Sequence, residues 1–202
     1  MTSFLGAAPD GEGAQGLYDA DVARDGFVMN LSRAWAHAPD LRAGFGAVVE
    51  QAAELGGLTF RQRGVLVAAM ASTLGDSYCA LAWGTRLAGE VGAEVAAAVI
   101  AGDDDGLDAS DAALARWARQ VVRDPNGTTA VDVEVLRDAG FDDAQILAVT
   151  VFVAMRLAFS TVNDALGARP DAEVAAAAPD EVRAAVTFGR PAAGAGAGTT
   201  SG

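Results

Sequence analysis

A chain of 202 residues, 51% of them hydrophobic, is long enough to bury one sizeable core and shows no shift in composition that would call for a second domain. Its formal charge of −13 argues against nucleic acid and anionic membrane partners. All 14 basic residues are Arg, spread along the chain, and the lack of Lys excludes Schiff-base chemistry and a Walker-type phosphate loop. The single cysteine, Cys79, permits no internal disulfide, so the expected setting is a reducing compartment, the cytoplasm by default.

Residues 1–14 are rich in Gly and are expected to be flexible; Met1 to Gly6 carry no basic segment followed by an apolar core, so no secretory leader is expected. From there almost every segment repeats its apolar residues at helical period, with Gly, Pro or Asp at the joints, which predicts an all-α fold. The predicted helices are Leu17 to Arg24, Met29 to His37, Pro39 to Leu55, Thr59 to Leu74, Ser77 to Glu90 and Ala93 to Ala101. The acidic Asp103-Asp104-Asp105-Gly106 lacks the spacing of a calcium loop and reads as a solvated, capping turn. Ser110 to Arg123 follows, then the turn Asp124-Pro125-Asn126-Gly127, then a helix from near Thr129 that Gly140 closes. Asp142 to Leu166 is apolar on most sides and is predicted to be the central buried helix. Its longest apolar run, Ile146 to Met155, is shorter than the roughly 20 residues that span a bilayer. Ala172 to Val186 is the last predicted helix, and residues 191–202, Ala- and Gly-rich, are expected to be disordered. Residues 15–190 then form a single helical domain.

If Asp76 caps the helix that starts at Ser77, Cys79 lies in its first turn, where free backbone N–H groups favour a thiolate. The Asp76 carboxylate and the indole of Trp83, one turn on, oppose ionisation by repulsion and desolvation, so the sign of the shift stays open. His37, the only histidine, precedes Ala38-Pro39 at a helix end and reads as a carbonyl partner there rather than a base. Without a second His or Cys beside it, no metal site is expected, and no cofactor. Arg156 interrupts the long apolar helix. It must meet an acid or line a pocket, since an unpaired buried guanidinium is costly; Asp164 on the same face is about 12 Å away. A structural ion pair from another helix or subunit is the first reading, recognition of a substrate the second.

The run Leu58-Thr59-Phe60-Arg61-Gln62-Arg63-Gly64-Val65-Leu66 into Gly75-Asp76-Ser77-Tyr78-Cys79-Ala80-Leu81-Ala82-Trp83-Gly84 resembles the AhpD-like, carboxymuconolactone decarboxylase superfamily. Ala118 to Pro125, Val135 to Leu147 and Asn163 to Asp171 are similar to its peroxidase-related branch, and the resemblance covers residues 15–190. It implies a helical protomer assembled into trimers or hexamers. In redox members it implies a Cys-x-x-Cys pair that reduces hydroperoxides, with a His four residues after the second Cys and a Glu near the start of the preceding helix. Cys79 matches the second, peroxide-reacting Cys. Asp76 stands at the first Cys, Trp83 at the His and Gly64 at the Glu, so the two-Cys cycle and its proton relay are missing, and acid–base assistance alone is worth about 10²–10⁴ in rate.

Three readings follow. One is a weak one-Cys peroxidase in which Cys79 attacks a small hydroperoxide, Asp76 caps the helix or accepts a proton, and Tyr78 donates a hydrogen bond. Another is a non-catalytic oligomeric scaffold or small-ligand binder that has lost the site, with Cys79 buried and its pKa ordinary or raised. The third is a carboxylate or lactone enzyme with Arg156 facing Asp76. Trp83 and Arg156 are the expected substrate-binding residues, and a homo-oligomer is the expected partner relationship, because Ala144 to Val162 carries few charges.

Overall fold

The computed structural model describes residues 2–194. Eleven α-helices and no strand occur among them, so the chain is all-α as its periodicity predicts. In order they are α1 (Glu12–Asp25), α2 (Asn30–Trp35), α3 (Pro39–Leu55), α4 (Phe60–Leu74), α5 (Ser77–Val91) and α6 (Ala93–Ala101), then α7 (Ala109–Arg123), a 3-10 turn (Pro125–Gly127), α8 (Ala130–Asp138), α9 (Asp143–Ala165), α10 (Ala172–Ala177) and α11 (Asp180–Ala185).

Local chemistry sets the boundaries. Thr59 and Gln62 form a reciprocal capping box at the start of α4, as Asp142 and Gln145 do for α9. Gly75 ends α4 in the left-handed conformation at φ +89°, which glycine adopts without strain, and the chain reverses directly into the Asp76 cap of α5.

The central helix is α4, which corrects the expectation for Asp142–Leu166. Val65 through Ala71 are all fully buried, enclosed by α5, α6, α7 and α9. The α4 interior is mostly Ala and Val, small enough to admit neighbours on every side. α9 instead buries one face, through Ile146, Val149, Phe152, Val153 and Phe159, and leaves Leu147, Ala154, Ala158 and Val162 exposed. By length and composition α9 alone among the described helices is long and apolar enough to cross a membrane; in this fold its buried face closes the bundle core. At Gly84, α5 approaches α6 and α11 so closely that a Cβ would lie 2.7 Å from Ile100 and 2.9 Å from Val182, which requires glycine there.

Three further differences have plain causes. The first helix begins at Glu12 rather than Leu17, with Gly13 lying against the ring of Pro39 where a side chain would collide. The expected helix Ala172 to Val186 is two, because Pro179 cannot donate to the helix and holds Ala178 extended at ψ 134°. The N-terminal segment, expected to be flexible, lies on the bundle: the Phe4 N–H donates to Leu166 O at 2.8 Å and the Arg169 N–H to Thr2 O at 3.2 Å. At the other end Arg169 holds Pro191 O and Ala193 N–H reaches Pro170 O at 2.7 Å; the disorder expected of residues 195–202 lies outside the described residues.

Candidate functional site

Cys79 is the third residue of α5, and the Asp76 carboxylate accepts its backbone N–H at 3.0 Å. Cap geometry turns the thiol toward α9. There the Arg156 guanidinium donates to Sγ from 3.6 Å and the Ser160 hydroxyl from 3.5 Å. Cys79 is only 3% exposed. Burial pushes its pKa up to about 12, and the Asp76 charge adds to that; Arg156 and Ser160 oppose the shift without reversing it. The sign left open by the sequence is therefore upward, and the group is a neutral thiol near pH 7.

Asp76 is a cap and nothing more exposed than that. It is fully buried, its second oxygen has no partner, and it does not line the cavity beside Cys79. An Asp76–Arg156 pair across a pocket, which a carboxylate or lactone enzyme would need, is not formed. The Asp76 charge is instead felt by Asp164, whose carboxyl is raised to about 6 by burial first and Asp76 second.

Tyr78 serves the framework. Its hydroxyl donates a short hydrogen bond to Asp171, which also accepts the Asn30 N–H at 2.9 Å, and burial and Asp171 raise the phenol far above its ordinary range. The hydroxyl proton expected for a substrate is committed to tying α5 to α2 and to the turn before α10.

The ion pair expected for Arg156 is absent among the described residues; the side chain lines a cavity instead. Its guanidinium lies 5.4 Å from the Trp83 ring centroid and 5.1 Å from that of Phe159. Arg86 covers Trp83 from 5.3 Å, and Arg42 covers Phe159 from 5.2 Å. The result is a row of alternating cations and aromatic rings, Arg86, Trp83, Arg156, Phe159, Arg42, along a cavity of about 290 Å³. Met29, Leu31 and Phe60 supply apolar wall and Cys79 lies at its floor. A groove of about 510 Å³ at α7 and α8 is larger, but it holds no thiol and its buried Arg119 is already paired with Asp104 at 2.7 Å.

Of the five residues expected in the site, the structure brings Cys79, Trp83, Arg156 and Tyr78 to one cavity and leaves Asp76 out of its lining, as the cap of α5. It adds Arg42 and Arg86 to that lining, and Ser160 as a buried partner of the thiol. Arg86, three residues after Trp83 on the same helix face, was findable from spacing; Arg42 and Ser160 arrive through tertiary packing from α3 and α9 and carry no local signal. His37 accepts its expected role as a carbonyl partner, though the carbonyl is that of Gly6, at 3.2 Å. Among the described residues no three His, Cys, Asp or Glu side chains gather as a metal would require.

No family model matches the chain, and no curated protein matches it in sequence. Two crystal structures share its architecture. An uncharacterized peroxidase-related protein from Ralstonia eutropha JMP134, described as an alkylhydroperoxidase AhpD core, superposes with a TM-score of 0.72 at 24% identity, covering 86% of this chain and 95% of its own. An uncharacterized peroxidase-related protein from Silicibacter sp. TM1040 gives 0.74 at 21% identity, over 86% and 94%. With near-complete coverage of both chains and the helix order described above, this chain has the AhpD-like fold.

Proposed function

We propose that this protein is an AhpD-like helical protein that has given up hydroperoxide reduction and uses the cavity over Cys79 to bind a small ligand. One observation carries this: the only thiol is buried to 3% exposure with its pKa raised to about 12, and the positions flanking it hold a backbone cap, Asp76, and an aromatic wall, Trp83. A peroxidatic cysteine needs a thiolate and a proton donor for the leaving alkoxide, and neither is supplied. The chain is further proposed to be a cytoplasmic homo-oligomer. α9 exposes Leu147, Ala154, Ala158 and Val162, and α3 beside it exposes Leu41, Val48 and Leu55, an apolar area that a second copy of the chain would cover.

The one-Cys peroxidase is the second reading, favoured by Arg156 at 3.6 Å from Sγ, since a guanidinium there is what a sulfenate-forming thiolate would require. Brief exposure of the reduced protein to hydrogen peroxide or an organic hydroperoxide, with dimedone present and Cys79→Ser as control, decides between them. An unlabelled thiol is the expected result; rapid dimedone capture at Cys79, reversible upstream of the trap by added thiol, would replace the binding reading with the peroxidase.

A further inference from the structure

Four guanidinium groups from four helices converge on the cavity: Arg24 of α1, Arg42 of α3, Arg86 of α5 and Arg156 of α9. Two carboxylates answer them. Asp21 lies 2.9 Å and Asp25 2.7 Å from Arg24, and Asp25 reaches Arg86 at 3.7 Å. Four cations against two carboxylates leave a local excess of two positive charges in a chain whose net charge is −13. The excess sits on Arg42 and Arg156, which form no ion pair among the described residues.

Both stand over the ring of Phe159, at 5.2 and 5.1 Å, so they are close neighbours of like charge. An aromatic face attracts a cation without neutralising it. Burial lowers the pKa of Arg42, and repulsion from Arg156 lowers it further. The Nε of Arg156 is buried without a hydrogen-bond partner. Arrangements of this kind fit a planar oxyanion, which takes two parallel donors from a guanidinium and supplies the missing charge. Met29, Leu31 and Phe60 give the rest of the lining an apolar side; Ser32 and Asp21 also line it, the Asp21 carboxylate being held by Arg24 at 2.9 Å and by the Met29 N–H at 3.0 Å, and 290 Å³ is at the low end of small-molecule sites, commonly about 300–1,000 Å³.

We propose that the cavity binds a small amphipathic carboxylate, its head between Arg42 and Arg156 and its single-ring or short aliphatic body against Phe60, Met29 and Leu31, and that occupancy masks Cys79. The ligand class rests on the binding function proposed above. The masking follows from Arg156, which serves both partners: a carboxylate that takes its donors withdraws the cation nearest Sγ and covers the floor of the cavity. By linkage, thiolate formation and anion binding oppose one another by equal factors.

Calorimetric titration of the whole protein with benzoate and with hexanoate tests this, with benzamide and inorganic phosphate as comparison probes and iodoacetamide labelling of Cys79 as an independent readout. Benzoate is expected to bind saturably at one site per chain, at least tenfold more tightly than benzamide, and to slow labelling of Cys79. Arg42→Gln and Arg156→Gln should each weaken it about 10–100-fold, the usual loss for a charge-assisted hydrogen bond. Equal affinity for benzamide, or no saturable binding of either carboxylate to the wild-type protein, would overturn the proposal without recourse to variants. Phosphate binding as tightly as benzoate would overturn the organic body. Hydroperoxide turnover at Cys79 that benzoate inhibits would remove the non-catalytic reading and leave the anion site standing, whereas an inert thiol with no carboxylate binding would do the opposite.

Discussion

The acidity of Cys79 separates the two functional readings, and its consequence for reactivity is large. A thiol with pKa about 12 is ionised to about one part in 10⁴ at about pH 8, against about one part in four for an unperturbed cysteine, a ratio on the order of 10³. Alkylation of the native protein by iodoacetamide should therefore be about 10³-fold slower than in concentrated guanidinium, before 3% exposure reduces access further. Asp76→Asn keeps an oxygen to accept the Cys79 N–H and removes the charge that adds to burial. Labelling should rise, about tenfold for each unit of acidity regained. Arg156→Gln removes the nearest cation and should slow it. The assay is intact-mass spectrometry of quenched time points on folded protein across a pH series, where the native rate should still be climbing at the most alkaline pH the fold survives. Native labelling within tenfold of the denatured rate, or an Asp76→Asn variant that is folded and slower than wild type, would refute the account of the site.

Tyr78→Phe leaves one oxygen of Asp171 buried without a donor and the Leu31 N–H without its acceptor, and Asp171→Ala leaves the Tyr78 O–H and the Asn30 N–H without an acceptor. At about 1–3 kcal/mol per orphaned group, each should cost about 2–6 kcal/mol, with the double variant costing less than their sum. Urea unfolding that gave strictly additive losses would mean the pair is not coupled. Asp164 has a folded pKa of about 6 against about 3.9 unfolded, so the folded state holds a proton that the unfolded chain releases. Its contribution to stability is present below about pH 4 and lost as pH rises through about 6; Asp111 and Asp171, also raised, add the same sign, so the measured quantity is the difference between wild type and Asp164→Asn in urea midpoint over that range, which should shrink the decline. For self-association, wild-type protein should sediment above monomer mass at micromolar concentration and Ala154→Arg on the open face of α9 should shift it toward monomer; a wild-type monomer would remove the homo-oligomer from the proposal.

Helix content was legible because it follows from local rules. The helix starts at Thr59 and Asp142 and the stop at Gly140 are read within a few residues, and the structure has a helix begin or end at each of them. Pro179 should have divided the last predicted helix on the same logic, and the apolar run of Ala residues around it hid the break. What did not show was which helix lies in the centre. α4 and α9 are both apolar nearly all round, and only the number of neighbours each acquires makes α4 the core and leaves α9 with an open face.

The candidate site divides along the same line. Asp76 as the cap of α5, Cys79 in its first turn and Trp83 one turn later are consequences of spacing along one helix, and the residues missing from the redox pattern were visible at once. The direction of the thiol pKa was not, because it depends on how completely α9 covers Sγ and on where Arg156 finds its partner. Nor was the convergence of Arg42 and Arg156 on one ring, since those residues are far apart in sequence and meet only when α3 packs on α9. Periodicity and capping are short-range interactions and are written in the order of the residues; desolvation and the pairing of charges are set by what surrounds a group on every side, and only the packed bundle decides them.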